Sequence, residues 1–453
     1  MDRRGVHHRP LRVDPALAAS TPGLQSLGAA RNNTGRGGGL FQEEEIDMQN
    51  VSAGVRQGLL LVAVAWLAPI GSTLFAPVLP QMIAHFSDVP RAELLAPLAL
   101  VTPALFVALL APLAGVLADR TGRKHLLLAA LALYAAAGIA PHWIGNLYGI
   151  ILSRVVVGIA EAGVMTASTA LICDYFAGER RAHWLSVQFG SASLVATFCF
   201  MLAGFLGGYD WRAPFLVYGA TALFIPLVLM LIFEPTPVAP AARAVVREER
   251  AGGLFTPRFI ACLALTLLCG VLFYVTPVHI SLVLSERGFT DAGMLGLASA
   301  IGSIGVVVGA LAFRIQSKRS IGALLVVAMA AQAIGYAILY TQPSWAAGAI
   351  GMFINNIGCG ISLPLVLAFT MSNLRSDYRG RASGIWTSMF FIGQFVCPIG
   401  VNAVAAASGG MVAAMAAFAG LTLFAALVFL AGLIFGHSFK QPATPGRDIM
   451  PVH

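Results

Sequence analysis

The chain has 453 residues, of which 58% are hydrophobic and only 11% charged, with a mean hydropathy of +0.81. A soluble domain carries about 25% charged residues, so this composition excludes an ordinary soluble enzyme or binding module and implies a polytopic protein of the lipid bilayer. The net charge of +8 does not signal nucleic-acid binding, because the basic residues lie in short joins between apolar runs.

Residues 1–57 are basic and glycine-rich around Gly35–Gly39, then acidic from Glu43 to Asp47. No apolar core follows the early arginines, so the stretch is not a signal peptide. It is expected to be a disordered cytoplasmic tail, with Met48 as an alternative start. Twelve apolar segments follow, near 58–80, 94–118, 125–142, 146–173, 184–207, 212–233, 258–284, 292–313, 321–341, 345–371, 382–406 and 411–435. Each is close to the ~20 residues that cross ~30 Å of hydrocarbon, which predicts an all-α protein of twelve transmembrane helices. The one long polar join, 234–257, carries Pro235, Pro237, Arg243, Arg247, Glu248, Glu249 and Arg250. It divides the chain into six segments over 58–233 and six over 258–436, with a cytoplasmic tail at 437–453.

Of the 28 lysines and arginines, only Arg91, Arg212 and Arg287 fall in the odd-numbered joins, and only Arg154 lies deep inside a segment. The others occupy the even-numbered joins and the tails, so the positive-inside rule places both termini in the cytoplasm. The cysteines (Cys173, Cys199, Cys262, Cys269, Cys359 and Cys397) lie in or at the ends of apolar runs without metal-ligand spacing, and read as packing residues. The sequence has no Walker loop, H-E-x-x-H, G-x-S-x-G or His/Cys cluster. No enzyme activity, metal or cofactor is therefore expected.

Between the second and third segments, Gly115 to Lys124 reads G-V-L-A-D-R-T-G-R-K. Gly115 would let two helix ends approach closely, and Gly122 supplies the permissive backbone of a tight turn. Asp119 can pair with a neighbouring cation, while Arg120, Arg123 and Lys124 hold the join on the cytoplasmic side. The run resembles the signature loop of the major facilitator superfamily of secondary transporters. A shift of 194 residues carries Gly115, Leu117, Ala118, Arg120 and Lys124 onto Gly309, Leu311, Ala312, Arg314 and Lys318, whereas Asp119 meets Phe313 and Arg123 meets Ser317. The join G-E-R-R-A at Gly178–Ala182 is likewise echoed by R-G-R-A at Arg379–Ala382. Two pseudo-symmetric six-helix bundles facing a midplane cavity are the architecture implied.

In the fourth segment, Arg154 to Ala162 reads R-V-V-V-G-I-A-E-A and resembles the family's second motif, in which the arginine is tied to proton coupling. Arg154 and Glu161 are seven residues apart and share a helix face. Facing lipid, either would be strongly unfavourable, so both should face a cavity or a partner. Glu161 is the acid deep within a span, and reads as a proton or substrate carrier or as half of a fixed ion pair. By the same resemblance, Asp174 would meet Arg123 and latch an outward-open state; a simple solvated pair is the other reading.

Phe75–Pro80, F-A-P-V-L-P, resembles the start of many family members but brings no acid or base into the first span. Leu202–Gly208, L-A-G-F-L-G-G, partly resembles the antiporter motif G-P-x-x-G-G, with Ala203-Gly204 in place of Gly-Pro. In the seventh segment Tyr274, Pro277 and His279 mark a break of the kind that lines cavities, and His279 can titrate near neutral pH or bond the backbone. Gln332, Asn355, Asn356, Gln394 and Asn402 are the polar groups of the second half. The pair Asn355-Asn356 is expected to bind substrate, with inter-helix bonding as the alternative. The resemblance implies a carrier of a small organic solute, exporting against protons through Glu161; the fold requires no oligomer, so a monomer is expected, and the Ala- and Gly-rich, Lys-poor composition points to a bacterial inner membrane. The alternatives are proton-coupled uptake, with Arg154 and His279 facing a carboxylate, or a transporter-like sensor.

Overall fold

The computed structural model describes residues 53–234, 255–316, 320–372, 374 and 379–434. Twelve helices are long and apolar enough to cross a membrane. They are α1 Val55–His85, α2 Ala92–Thr121, α3 Arg123–His142, α4 Leu147–Tyr175, α5 Gly178–Gly207 and α6 Ala213–Leu231 in the first half. The second half holds α7 Pro257–Glu286, α8 Ala292–Gln316, α9 Ile321–Thr341, α10 Trp345–Ser372, α11 Arg379–Ser408 and α12 Met411–Ile434. The expected disorder of residues 1–52, most of the central join and the tail beyond Ile434 lie outside the described residues.

Several helices outrun their apolar segments. The G-E-R-R-A stretch, read as a loop, is the first turn of α5, and Arg379–Ala382 opens α11. A 30-residue helix is about 45 Å long, so its polar ends project beyond ~30 Å of hydrocarbon. Hydropathy marks where the membrane begins, not where the helix does. For the same reason Asp119 and Arg120 end α2, while Arg123 and Lys124 begin α3. The signature loop is reduced to Gly122, at φ +93°.

Helix α1 is interrupted. It runs α-helically over Val55–Ala65 and Leu67–Thr73, passes through a 3₁₀ turn at Ala76–Val78 and resumes at Leu79–His85. Pro69 and Pro77 have no N–H to give to the carbonyls of Ala65 and Thr73, so the ladder breaks at both places. Hydroxyls from other helices hold the middle piece. Tyr134 of α3 donates to the Leu67 carbonyl at 2.7 Å, and Tyr218 of α6 to the Gly71 carbonyl at 3.2 Å. The second half repeats the first of these bonds, with Tyr336 of α9 donating to the Leu272 carbonyl of α7 at 3.0 Å. Separate apolar cores fill each half, the first around Leu61, Phe75 and Leu131 and the second around Leu272, Met352 and Met415.

Gly115 does not make the expected close approach: a Cβ there would sit 3.9 Å from Thr166 of α4. Its counterpart Gly309 does, packing against the backbone of Ile357 and Gly360 of α10. The 194-residue shift also carries Thr166 onto Gly360, so the same crossing recurs with smaller residues.

The two bundles meet toward the membrane face opposite the Gly122 turn. Ser281 of α7 donates to the Ala76 carbonyl at 2.8 Å, and Thr197 of α5 hydrogen-bonds Ser303 of α8 at 2.6 Å. Nearby, α5 and α8 touch backbone to backbone. A Cβ on Gly296 would lie 2.6 Å from the Phe200 carbonyl oxygen and 2.7 Å from the Gly204 Cα. Gly207, one of the twin glycines of the partial antiporter motif, packs on Val78 and Ala292. Ser388 of α11 donates to the Ala108 carbonyl of α2 at 3.0 Å.

Because backbone atoms cannot move aside as side chains do, Gly296→Val should prevent closure of this face without unfolding either bundle. Oxidative cross-linking between cysteines placed at 197 and 303 should fall several-fold in that background. Unchanged cross-linking would show that the glycine contact is not needed for closure.

Candidate functional site

The two buried charges of the first bundle sit against α1. Arg154 and Glu161, both on α4, are 0% and 3% exposed and are the buried Arg, Lys, Asp or Glu side chains among the described residues. They form no direct ion pair within 4.0 Å, so the fixed-pair reading is not what the structure shows. Arg154 instead donates to the Gly138 carbonyl at 3.1 Å and lies over three rings, Tyr218 at 4.7 Å, Phe215 at 5.5 Å and Phe75 at 5.7 Å. The ring faces carry partial negative charge, each worth about 0.5–2 kcal/mol to a cation in a dry site. Its Nε and one terminal nitrogen have no hydrogen-bond partner.

Glu161 faces the middle piece of α1. A Cβ on Gly71 would come within 2.8 Å of Glu161 Oε2 and 3.3 Å of the Tyr134 hydroxyl, so the carboxylate end lies directly against the backbone of α1 there. Glu161 Oε2 is buried without a hydrogen-bond donor. Tyr274 of α7, which packs against the apolar cores of both halves, lies within electrostatic range of Glu161. The acid therefore stands where α1, α4 and α7 converge, across the division between the bundles.

The remaining polar residues divide by place. His279 is fully buried, with Nδ1 against the Val275 carbonyl at 3.0 Å. This matches the backbone-bonded reading and removes His279 from a solute path. Asn355 and Asn356 are also fully buried, and their bonds are those of the inter-helix alternative. Both accept from the Thr276 hydroxyl, while Asn355 donates to the Gln332 carbonyl at 3.3 Å and Asn356 to the Gly302 carbonyl at 3.0 Å. The pair ties α7, α8, α9 and α10 together, as polar side chains between membrane helices do. Gln394 of α11 is buried with Oε1 unpartnered.

At the signature turn, Arg123 makes the expected ion pair with Asp174, lies 3.7 Å from Asp119 and donates to the Ala170 carbonyl. All of this lies within the first bundle, and it is formed while the opposite face is closed. Lys124 donates to the Leu229 carbonyl at 3.1 Å, and Arg120 is exposed. Sequence reasoning missed Glu234, whose carboxylate accepts the backbone N–H groups of Arg123 and Lys124 at 2.6 and 2.8 Å and so caps α3. It also missed Tyr134 and Tyr218, which look like ordinary aromatic residues of apolar spans. A pairing of mid-span tyrosines with the proline-broken first helix was the available signal.

Paired six-helix bundles meeting around a buried acid define a helical membrane transport protein. The family model described as Major Facilitator Superfamily matches residues 61–398, and the chain belongs to that family, whose members are transporters and not enzymes. The chain is similar to the bacillibactin exporter of Bacillus subtilis (strain 168), 25% identical over 363 residues that cover 75% of this chain and 87% of the exporter. It is also 28% identical over 393 residues to the class C tetracycline resistance protein of Escherichia coli, covering 81% and 94% of the two chains. In fold it is similar to the inward-facing crystal structure of a bacterial homologue of the human lysosomal transporter Spinster. There the TM-score is 0.69 and the identity 16%, over 86% of this chain and 98% of that one.

If Asn356 is a fastener, Asn356→Ala should lower stability by about 1 kcal/mol, in line with hydrogen bonds between membrane helices. Thermal unfolding in detergent would read the loss, and substrate affinity in the surviving protein should be unchanged. Wild-type stability with lost affinity would return the residue to the binding site.

Proposed function

We propose that this transporter exports a small organic solute in exchange for protons, with Glu161 as the exchanging group. The observation that carries the reading is the position of Glu161, buried among α1, α4 and α7 with Oε2 free of any hydrogen-bond donor. An ionised carboxylate is unfavourable in such a place unless something neutralises it, and a proton or a donor group on the solute can each do so. Competition between the two for one carboxylate is the essence of exchange. The similarity to a bacillibactin exporter and a tetracycline resistance protein supports the outward direction.

With the Gly122 face in the cytoplasm, as the distribution of basic residues favours, the contacts of the opposite face close α5 against α8 toward the outside. Solute would then enter from the cytoplasm, and rocking of the bundles would expose it outside. Uptake of an anionic solute is the second reading, favoured by the two guanidinium nitrogens of Arg154 that have no hydrogen-bond partner.

Untargeted mass spectrometry should compare solutes inside and outside cells that overproduce the wild type or Glu161→Gln. A compound depleted inside and enriched outside only with the wild type is expected. The opposite gradient would establish uptake, and equal gradients for both proteins would make Glu161 structural.

A further inference from the structure

One face of α11 is explained neither by bundle packing nor by proton exchange. Trp386, Phe390 and Gln394 recur every four residues and therefore lie on one side of the helix. Trp386 and Phe390 stack with centroids 6.0 Å apart and planes 3° from parallel. Phe390 in turn meets Tyr274 at 6.0 Å and Phe273 at 5.8 Å. Tyr274 packs against the apolar cores of both halves, and it is the ring within electrostatic range of Glu161. A line of aromatic rings thus runs from Trp386 across the bundle division to Glu161.

Three polar atoms along this line have no hydrogen-bond partner: Trp386 Nε1, Gln394 Oε1 and Glu161 Oε2. Their side chains are 9%, 2% and 3% exposed, so water does not readily satisfy them. Leaving one donor and two acceptors bare in a dry site is unfavourable, and nothing in the packing requires it. Tyr274 and Phe390, by contrast, are only half-buried, which leaves ring surface free for a further contact.

We propose that this ladder binds a planar, conjugated substrate that carries amino or hydroxyl donors. Its flat face lies on Phe390 and Tyr274, where aromatic faces offer offset stacking. Its donors face Gln394 Oε1 and Glu161 Oε2, and an acceptor on its edge takes the Trp386 Nε1 hydrogen. The proposal rests on the export reading for the role of Glu161, but the ring contacts stand apart from proton exchange. A saccharide fits poorly, because it needs many polar partners and offers no flat conjugated face.

The test uses the purified full chain in lipid nanodiscs, titrated with proflavine (a flat dye bearing amino groups) and, as a non-planar control, with sucrose. Saturable change in dye fluorescence is expected with the wild type, and none of it should be displaced by sucrose. Phe390→Leu should weaken the dye about tenfold, and Trp386→Phe, which keeps the ring but removes the N–H, should weaken it less. Thermal unfolding checks that each variant is folded, and Trp386→Phe carries the test should Phe390→Leu fail. Absence of saturable dye binding, equal affinity in the folded variants, or displacement by sucrose would overturn the ladder. Proton-driven movement of other solutes alongside any of those results leaves export standing and removes only this proposal. Dye binding that depends on Phe390, without proton-linked movement of the dye, removes the export reading and leaves the ladder.

Discussion

Hydrocarbon offers a polypeptide no hydrogen bonds, and this limits where the chain can be irregular. Interrupted backbone is tolerable only where other protein groups satisfy it. Pro69 and Pro77 interrupt α1, and the interruption is held by Tyr134 and Tyr218, whose hydroxyls reach carbonyls of the loosened piece. Gly71 lies in that piece, with the carboxylate end of Glu161 directly against it. Tyr218 also stacks under Arg154, so one ring supports both the broken backbone and the buried cation. The prolines, the tyrosines and the two charges are consequently one assembly. A change in the path of α1 would alter the surroundings of the acid directly.

The closed face depends on a different constraint. Membrane helices gain no hydrophobic advantage from leaving lipid, so close approach through small residues is what holds them together. Gly204, Gly207 and Gly296 let α5 and α8 touch at the backbone, while Ser281, Thr197 and Ser388 add hydrogen bonds across the division. Such contacts are shallow and few compared with the apolar core of either half. They are suited to being made and broken as units, with each bundle staying intact. The signature turn belongs to the interior of one bundle: Asp119, Arg123, Asp174 and Glu234 tie α2, α3, α4 and the end of α6 together.

Twelve spans and their division into halves were legible because membrane crossing writes a long, low-information signal of apolar length. Helix ends were less legible, since residues such as Glu179 and Arg181 continue a helix in water where hydropathy falls. Arg154 and Glu161 stood out because charge inside an apolar run is expensive and therefore rare. Their distance from each other did not follow, because sharing a face two turns apart leaves each side chain free to find other neighbours. Asn355-Asn356 stayed ambiguous for a related reason: an amide in a span looks the same whether it meets a solute or a neighbouring helix. The repeat was visible at Gly115 and Gly309, yet the matching Tyr134 and Tyr336 bonds escape a fixed 194-residue shift. The two tyrosines stand 202 residues apart, not 194.

The aromatic enclosure of Arg154 bears on how the site works. A guanidinium does not lose its proton in a protein, so Arg154 is a constant charge. Of the two buried charges, only Glu161 can change, by taking up a proton or a donor from the solute. Direct pairing would have tied the acid to the arginine and fixed its charge in every state. Stacking the arginine on Phe75, Phe215 and Tyr218 supports its charge by other means, leaving it close enough to be felt by Glu161 but not bonded to it. A constant cation beside an unpartnered acid leaves the net charge of the site to the protonation of Glu161 alone.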